Sequence, residues 1–172
     1  MPTHLNRYGL VAFAPGSPIT LEIAQARLGI AIDPDNPQQL VDAVRCDADS
    51  IGIHDGCVLI CVRDMFQFFV EPLTPFAKGL LDAFVDGQGC AVYYYSVVDL
   101  YGYAHFEKGR TMRVKYGMDK VWVDIGATME YEDPWNTEIT MDRLTEQVVR
   151  VPLPLLLDKE IPMFQFQLIT GE

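Results

Sequence analysis

Residues 91–125 are written for β-structure with hardly a break, and whatever this chain folds into has to be arranged around that run. Residues 91–98 are nearly all apolar or aromatic, the composition of a central strand buried on both faces. Residues 101–106 and 110–116 flank Glu107-Lys108-Gly109, which reads as a three-residue hairpin loop with Gly109 at a left-handed position. A further strand over 121–125 follows a turn at Gly117. Tyr93, Tyr94 and Tyr95 alternate across the first of these strands, and buried tyrosines of this kind serve packing, with the hydroxyl bonded.

The flanking sequence supplies more strands and the helices to cover them. Residues 8–14 make a first strand ending at Pro15-Gly16. A helix follows, capped by Ser17 or Thr20 and stopped by Gly29, with Leu21, Ala24 and Leu28 on one face. Asn36, Pro37 and Gln39 have the pattern of an N-cap, a first-turn proline and a capping-box partner, which predicts a second helix running to about Cys46. Two β-rich runs over 50–62 meet at Asp55-Gly56, the pair that type I′ turns favour. Residues 65–70 read as a continuation of the second run or as another strand. Thr74-Pro75 starts a third helix along Phe76, Leu80 and Phe84; Thr140 is placed to cap a last one along Met141, Leu144, Val148 and Val151. With a closing strand over 163–169, this predicts an α+β fold. It has a mostly antiparallel sheet built from hairpins, about four helices packed on it, and one domain over 1–172.

Charge narrows the function classes. The chain has 24 Asp and Glu against 13 Lys and Arg, a formal −11. Gripping a phosphate backbone depends on bases that displace counterions, so nucleic acid is not an expected partner, and an anionic membrane surface is disfavoured in the same way. Neither a secretory signal nor a run of roughly 18–20 apolar residues is present, which suits a soluble, cytoplasmic protein. Cys46, Cys57, Cys61 and Cys90 are then expected to be buried thiols.

Motifs that carry chemistry are sparse. Cys57 and Cys61 share a strand face, but no second pair completes a metal site, and no cofactor is expected. His4, His54 and His105 are the histidines. His54 reads as a loop histidine beside Asp55. His105 and Glu107 share a sheet face and could form a general base held by a carboxylate, or simply an edge pair. The Gly-x-Ser-x-Gly elbow and the phosphate loop are absent, and Gly87-Gln88-Gly89 opens a strand where a dinucleotide site needs a helix, so it reads as a connector.

One pattern stands out. Five bases, Lys108, Arg110, Arg113, Lys115 and Lys120, crowd into thirteen residues, and a run of acids follows from Asp124 to Glu146 with Arg143 its one base. The plainer reading is that the two segments neutralise each other or are solvated. The sharper one makes Glu130, Tyr131, Glu132, Asp133, Trp135 and Glu138 a recognition surface for a basic protein, since charge steers encounter and aromatics supply buried contact.

Ser96-Val97-Val98-Asp99-Leu100-Tyr101-Gly102, the hairpin through Gly109-Arg110 and Arg113, Val123-Asp124-Ile125-Gly126 and Glu130-Tyr131-Glu132 together resemble a pattern of uncharacterised bacterial proteins. In these, a Gly-Arg hairpin precedes an Asp-x-Gly strand and an acidic, aromatic stretch. Ala127-Thr128-Met129 departs from the Gly-x-Pro-Leu-like turn of that pattern. The resemblance spans residues 96–132 and implies a bacterial origin and a β-hairpin core, with no activity attached.

The leading expectation is a binding module, most concretely an immunity-type protein that occludes a toxin or effector. An enzyme or ligand-binding protein with a polar pocket at His105, Glu107 and Arg110 is the alternative, Arg110 holding an anionic group. A homo-oligomer paired through an edge strand is the third.

Overall fold

The computed structural model describes residues 6–169. Its strands are β1 (Arg7–Ala14), β2 (Ile30–Ile32), β3 (Gln38–Gln39), β4 (Ser50–His54), β5 (Cys57–Cys61), β6 (Gln88–Tyr95), β7 (Leu100–Glu107), β8 (Arg110–Gly117), β9 (Val121–Gly126) and β10 (Pro162–Leu168). The helices are α1 (Leu21–Leu28), α2 (Leu40–Ala43), α3 (Pro75–Ala83), α4 (Thr137–Val149) and α5 (Leu153–Leu157). The strands form one sheet in the order β2-β10-β4-β5-β1-β6-β7-β8-β9, with β3 beside β10, and every pairing is antiparallel. The fold is α+β.

Register sorts the side chains onto two faces. Tyr8, Leu10 and Ala12 align through β6 and β7 with Tyr94, Val92, Cys90, Tyr103 and His105, and through β8 with Arg113 and Lys115. Helix α4 crosses this face over β1, β6 and β7, with α5 against it. Gly9, Val11, Phe13, Ala91, Gly102, Ala104 and Phe106 make the other face. There a short 3-10 turn (Met65–Phe68) and α3 pack: Phe13 stacks on Phe84 of the turn ending α3, at 4.8 Å between centroids. A Cβ on Gly102 would stand 3.0 Å from the Phe69 ring.

Several local signals act as their chemistry dictates. Thr20 accepts from the Ile23 N–H and Gly29, at φ 66°, ends α1; Thr74 accepts from the Ala77 N–H above Pro75. Asp55 and Gly56 both have positive φ, as a type I′ turn requires.

Others are overridden. The capping-box pattern at Asn36 does not start a helix: Gln38 and Gln39 pair with Met163 and Pro162 on β10, the Leu40 N–H donates to Ile161 O, and α2 is a single turn. A cap is worth about 1 kcal/mol, and strand pairing with burial of Leu40 outweighs it. Residues 65–70 are not a strand, because Asp64 accepts from the Phe66 N–H and caps the 3-10 turn, burying Met65 and Phe68. The β7–β8 loop has two residues, Lys108 and Gly109, both at positive φ, and Glu107 pairs with Arg110. Asn136 caps α4, while Thr140 lies inside it, fully buried. Ser96–Val98 leaves β6 as a 3-10 turn with Val97 69 % exposed. The short elements β2, β3 and α5 carry too few residues to show a period.

Candidate functional site

The acidic, aromatic stretch leaves β9 and runs over the α4 face of the sheet, and its first anchor comes from β8. Arg113 sits mid-strand, with its side chain 4 % exposed. Its Nε and Nη2 donate to the two carboxylate oxygens of Glu132 at 2.6 and 3.0 Å. Nη1 donates to the Asp124 carboxylate and to Ile125 O at 3.2 Å. Tyr103 Oη and the Met129 N–H complete the set on Glu132, at 3.1 and 3.0 Å. Burial alone would raise the Glu132 carboxyl, but the Arg113 and Met129 hydrogen bonds hold it below the ordinary glutamate range.

Glu132, expected to face a partner, is therefore turned inward, with its side chain 6 % exposed and both oxygens occupied. It acts as the internal counter-ion that ties the stretch to the sheet. Among the described residues, Arg113 is also the one base of the 108–120 cluster that makes an ion pair, so mutual neutralisation of the two segments is confined to this point.

Beyond Glu132 the stretch is rigid yet open. Asp133 Oδ1 accepts from the N–H groups of Trp135 and Asn136 at 2.8 and 3.0 Å, and Thr140 Oγ1 accepts from the Asp133 N–H at 2.8 Å. Asn136 Oδ1 then accepts from the Ile139 N–H. Five residues are thus fixed by polar bonds, while Trp135 projects with 94 % of its surface in solvent. Glu130, five residues earlier, is exposed. Tyr131 is half-buried against the core, its hydroxyl pushed up to about 12 by desolvation, and its carbonyl accepts from Arg143.

Glu138, in the first turn of α4, stands next to Tyr94 and Tyr8. Asp142, one turn on, is pushed up to about 6, first by burial and then by the Glu138 charge. A carboxyl raised in the folded state stabilises fully below its unfolded value, and that contribution disappears as pH rises through about 6. Asp142→Asn is therefore expected to raise stability at pH 7.5 by roughly 1 kcal/mol, allowing for solvent screening of a half-exposed group. The gain should vanish below about pH 4; urea titrations at both pH values measure it.

Of His105, Glu107 and Arg110, the first two lie side by side on β7 and the third opposite Glu107 on β8, but the three line no common cavity. His105 Nε2 lies 3.2 Å from Gln88 Oε1 and 3.8 Å from Glu107 Oε1, and burial lowers its pKa. Glu107 lines a cavity of about 490 Å³ with Gln88, Asp86 and Lys108, whereas Arg110 lines a separate one of about 460 Å³ with Lys78 and Glu71. His105 lines neither cavity, although Glu107 and Arg110 are cross-strand partners at the hairpin. His54 pairs with Asp55 at 3.4 Å at the hairpin tip, and His4 lies outside the described residues.

Sequence reasoning missed Val97 and Val98, 69 % and 42 % exposed. They follow Tyr94 and Tyr95 in the 3-10 turn that ends β6. Their apolar character resembled a buried strand, and only the left-handed Asp99 that closes the turn marks them as different. No family model, curated protein or solved structure matches the chain.

Proposed function

We propose that the chain is a protein-binding module of the immunity type, which occludes a basic toxin or effector with the face around the start of α4. The observation that carries this reading is Trp135: a nearly fully exposed indole on a turn held by five local hydrogen bonds. A tryptophan on a flexible loop costs backbone ordering when it binds, whereas one on a turn already fixed by hydrogen bonds is spared that part of the cost. Glu130, Glu138 and the −11 overall charge favour a cationic surface around the indole. Glu132 belongs to the support of this face and not to its contact surface.

Affinity capture with the native chain and Trp135→Ala side by side, followed by titration of the purified partner, tests the reading. Trp135→Ala is expected to weaken binding by at least about thirtyfold, the effect of a central aromatic anchor. Glu130→Lys should slow association and flatten its salt dependence. A partner that is acidic, or one bound equally by Trp135→Ala, would remove this face from the account.

A further inference from the structure

We propose that β9 is the seam of a homodimer, where it pairs antiparallel with β9 of a second copy and joins the two sheets across a twofold axis. The strand stands last in the sheet order and, among the described residues, is laddered to β8 alone. Its outer edge therefore presents backbone N–H and C=O groups with which a further strand, rather than a helix or a small molecule, can ladder. The two ends of the sheet differ in how such an edge is managed. At the far end β2 has three residues and β3 two, too short to template a partner. β9 has six, Val121-Trp122-Val123-Asp124-Ile125-Gly126, with no proline among them. Its one charged side chain, Asp124, is drawn across the sheet to Arg113.

The strand also carries apolar surface that nothing covers within the described residues. Val121, Trp122 and Ile125 are all exposed. Ile125 aligns with Val114 and Val123 with Tyr116, on the face of the sheet away from α4. Trp122 meets the Tyr116 ring edge-on at 5.3 Å, and Tyr116 in turn lies 5.6 Å from the exposed Phe66. A strand added beside β9 would shield this aromatic row.

Charge selects the occupant and its direction. A second copy brings a strand of strong β-formers whose two ends are of opposite sign, with exposed Lys120 just before it and Asp124 near its close. Antiparallel pairing with Trp122 opposite Trp122 sets Val121 against Val123, and Lys120 of each copy against Asp124 of the other. Parallel pairing would set like charges together. Arg113 takes Oδ1 of Asp124, yet that side chain stays 53 % exposed and can meet Lys120 of the second copy as well. The contact is isologous, so it closes as a dimer and does not grow into a fibre. Two chains of formal charge −11 repel at long range, so the association depends on concentration and is sought at physiological salt. This seam does not rest on the toxin-occluding reading, which uses the α4 side of the sheet.

Sedimentation velocity of the full chain from about 2 to 200 µM should show monomer passing to dimer. Hydrogen exchange read by mass spectrometry over the same range should slow at least about fivefold in residues 121–126, with β2 and β10 unchanged. Trp122→Glu places two carboxylates on the axis and should raise the dissociation constant at least about tenfold. Lys120→Glu, at an exposed turn where folding is not at stake, should raise it severalfold, and Trp135→Ala should leave it unaltered, so the seam and the α4 face are read separately. A chain that stays monomeric at the highest concentration, a dimer whose 121–126 exchange ignores concentration, or one that survives both β9 variants would overturn the proposal.

Discussion

Arg113→Met is expected to lower the free energy of unfolding by roughly 3–5 kcal/mol, the cost of stranding one partner of a buried ion pair. The residue left behind is Glu132, 6 % exposed and held for a cation. Its Tyr103 and Met129 hydrogen bonds remain, but neither supplies charge. Asp124 behaves differently. Its side chain is 53 % exposed and rehydrates when its partner is lost, so Asp124→Asn should cost under about 1 kcal/mol. The double variant Arg113→Met/Glu132→Leu removes both charges and should recover much of the loss, because the penalty lies in the unpaired charge rather than in a missing attraction. Guanidinium unfolding of the native chain, Arg113→Met, Glu132→Leu and their double variant measures this, with Asp124→Asn alongside; a double variant as unstable as the sum of its two singles would contradict it. The pH response has a definite sign. Glu132 is depressed in the folded state, so its contribution is complete above the ordinary glutamate range and disappears as pH falls through the lower folded value.

That ion pair also shows how far the sequence could be read. The charge switch between 108–120 and 124–146 was visible, and so was the possibility that its halves meet. What composition does not reveal is that the meeting is made by one residue of each kind in a strand-to-loop crossing. Arg113 takes that part because β8 alternation turns it toward the α4 face, together with Lys115. Arg113, on the strand next to the edge of the sheet, is covered by Glu132 of the chain that leaves β9, while Lys115 stays partly exposed. The alternation was legible; the path of residues 127–136 over it was not. Trp135 was legible as a residue type, yet its 94 % exposure depends on Asp133 and Asn136 bonding to their own backbone neighbours.

The fold was legible where the signal is local and strong. Asp55-Gly56, Thr74-Pro75 and Gly29 each dictate their own conformation, and the structure follows them. It fails to follow where a distant segment competes. The Asn36 pattern loses to β10, which arrives from more than a hundred residues away to pair with Gln38 and Gln39. Residues 65–70 look like a strand because strands and buried 3-10 turns draw on the same apolar residues; Asp64 decides the matter through one side-chain bond to Phe66. Gly87-Gln88-Gly89 is only in part a connector: Gly87 ends the turn, while Gln88 and Gly89 already pair in β6, and both glycines serve close approach. A Cβ at Gly89 would stand 2.5 Å from the Phe13 ring, its register partner on β1.

That last contact leads to a reversal of sign. Phe13→Ala should cost about 3–5 kcal/mol, since it empties a site where the ring is 2 % exposed and stacked on Phe84 and Phe106. In the native background Gly89→Ala should also destabilise, by roughly 1–3 kcal/mol, because the new methyl meets a ring that Phe84 prevents from retreating. In the Phe13→Ala background the ring is gone, and the same methyl enters vacated space. There Gly89→Ala should be neutral or stabilising, helped by the lower chain entropy of alanine in a strand. Ala12 O, 3.0 Å from that Cβ position, limits the gain but moves with a backbone relieved of the ring. Urea denaturation of the four proteins gives the coupling directly. A Gly89→Ala effect that is the same in both backgrounds would mean that the glycine is required by the β6 backbone and not by Phe13.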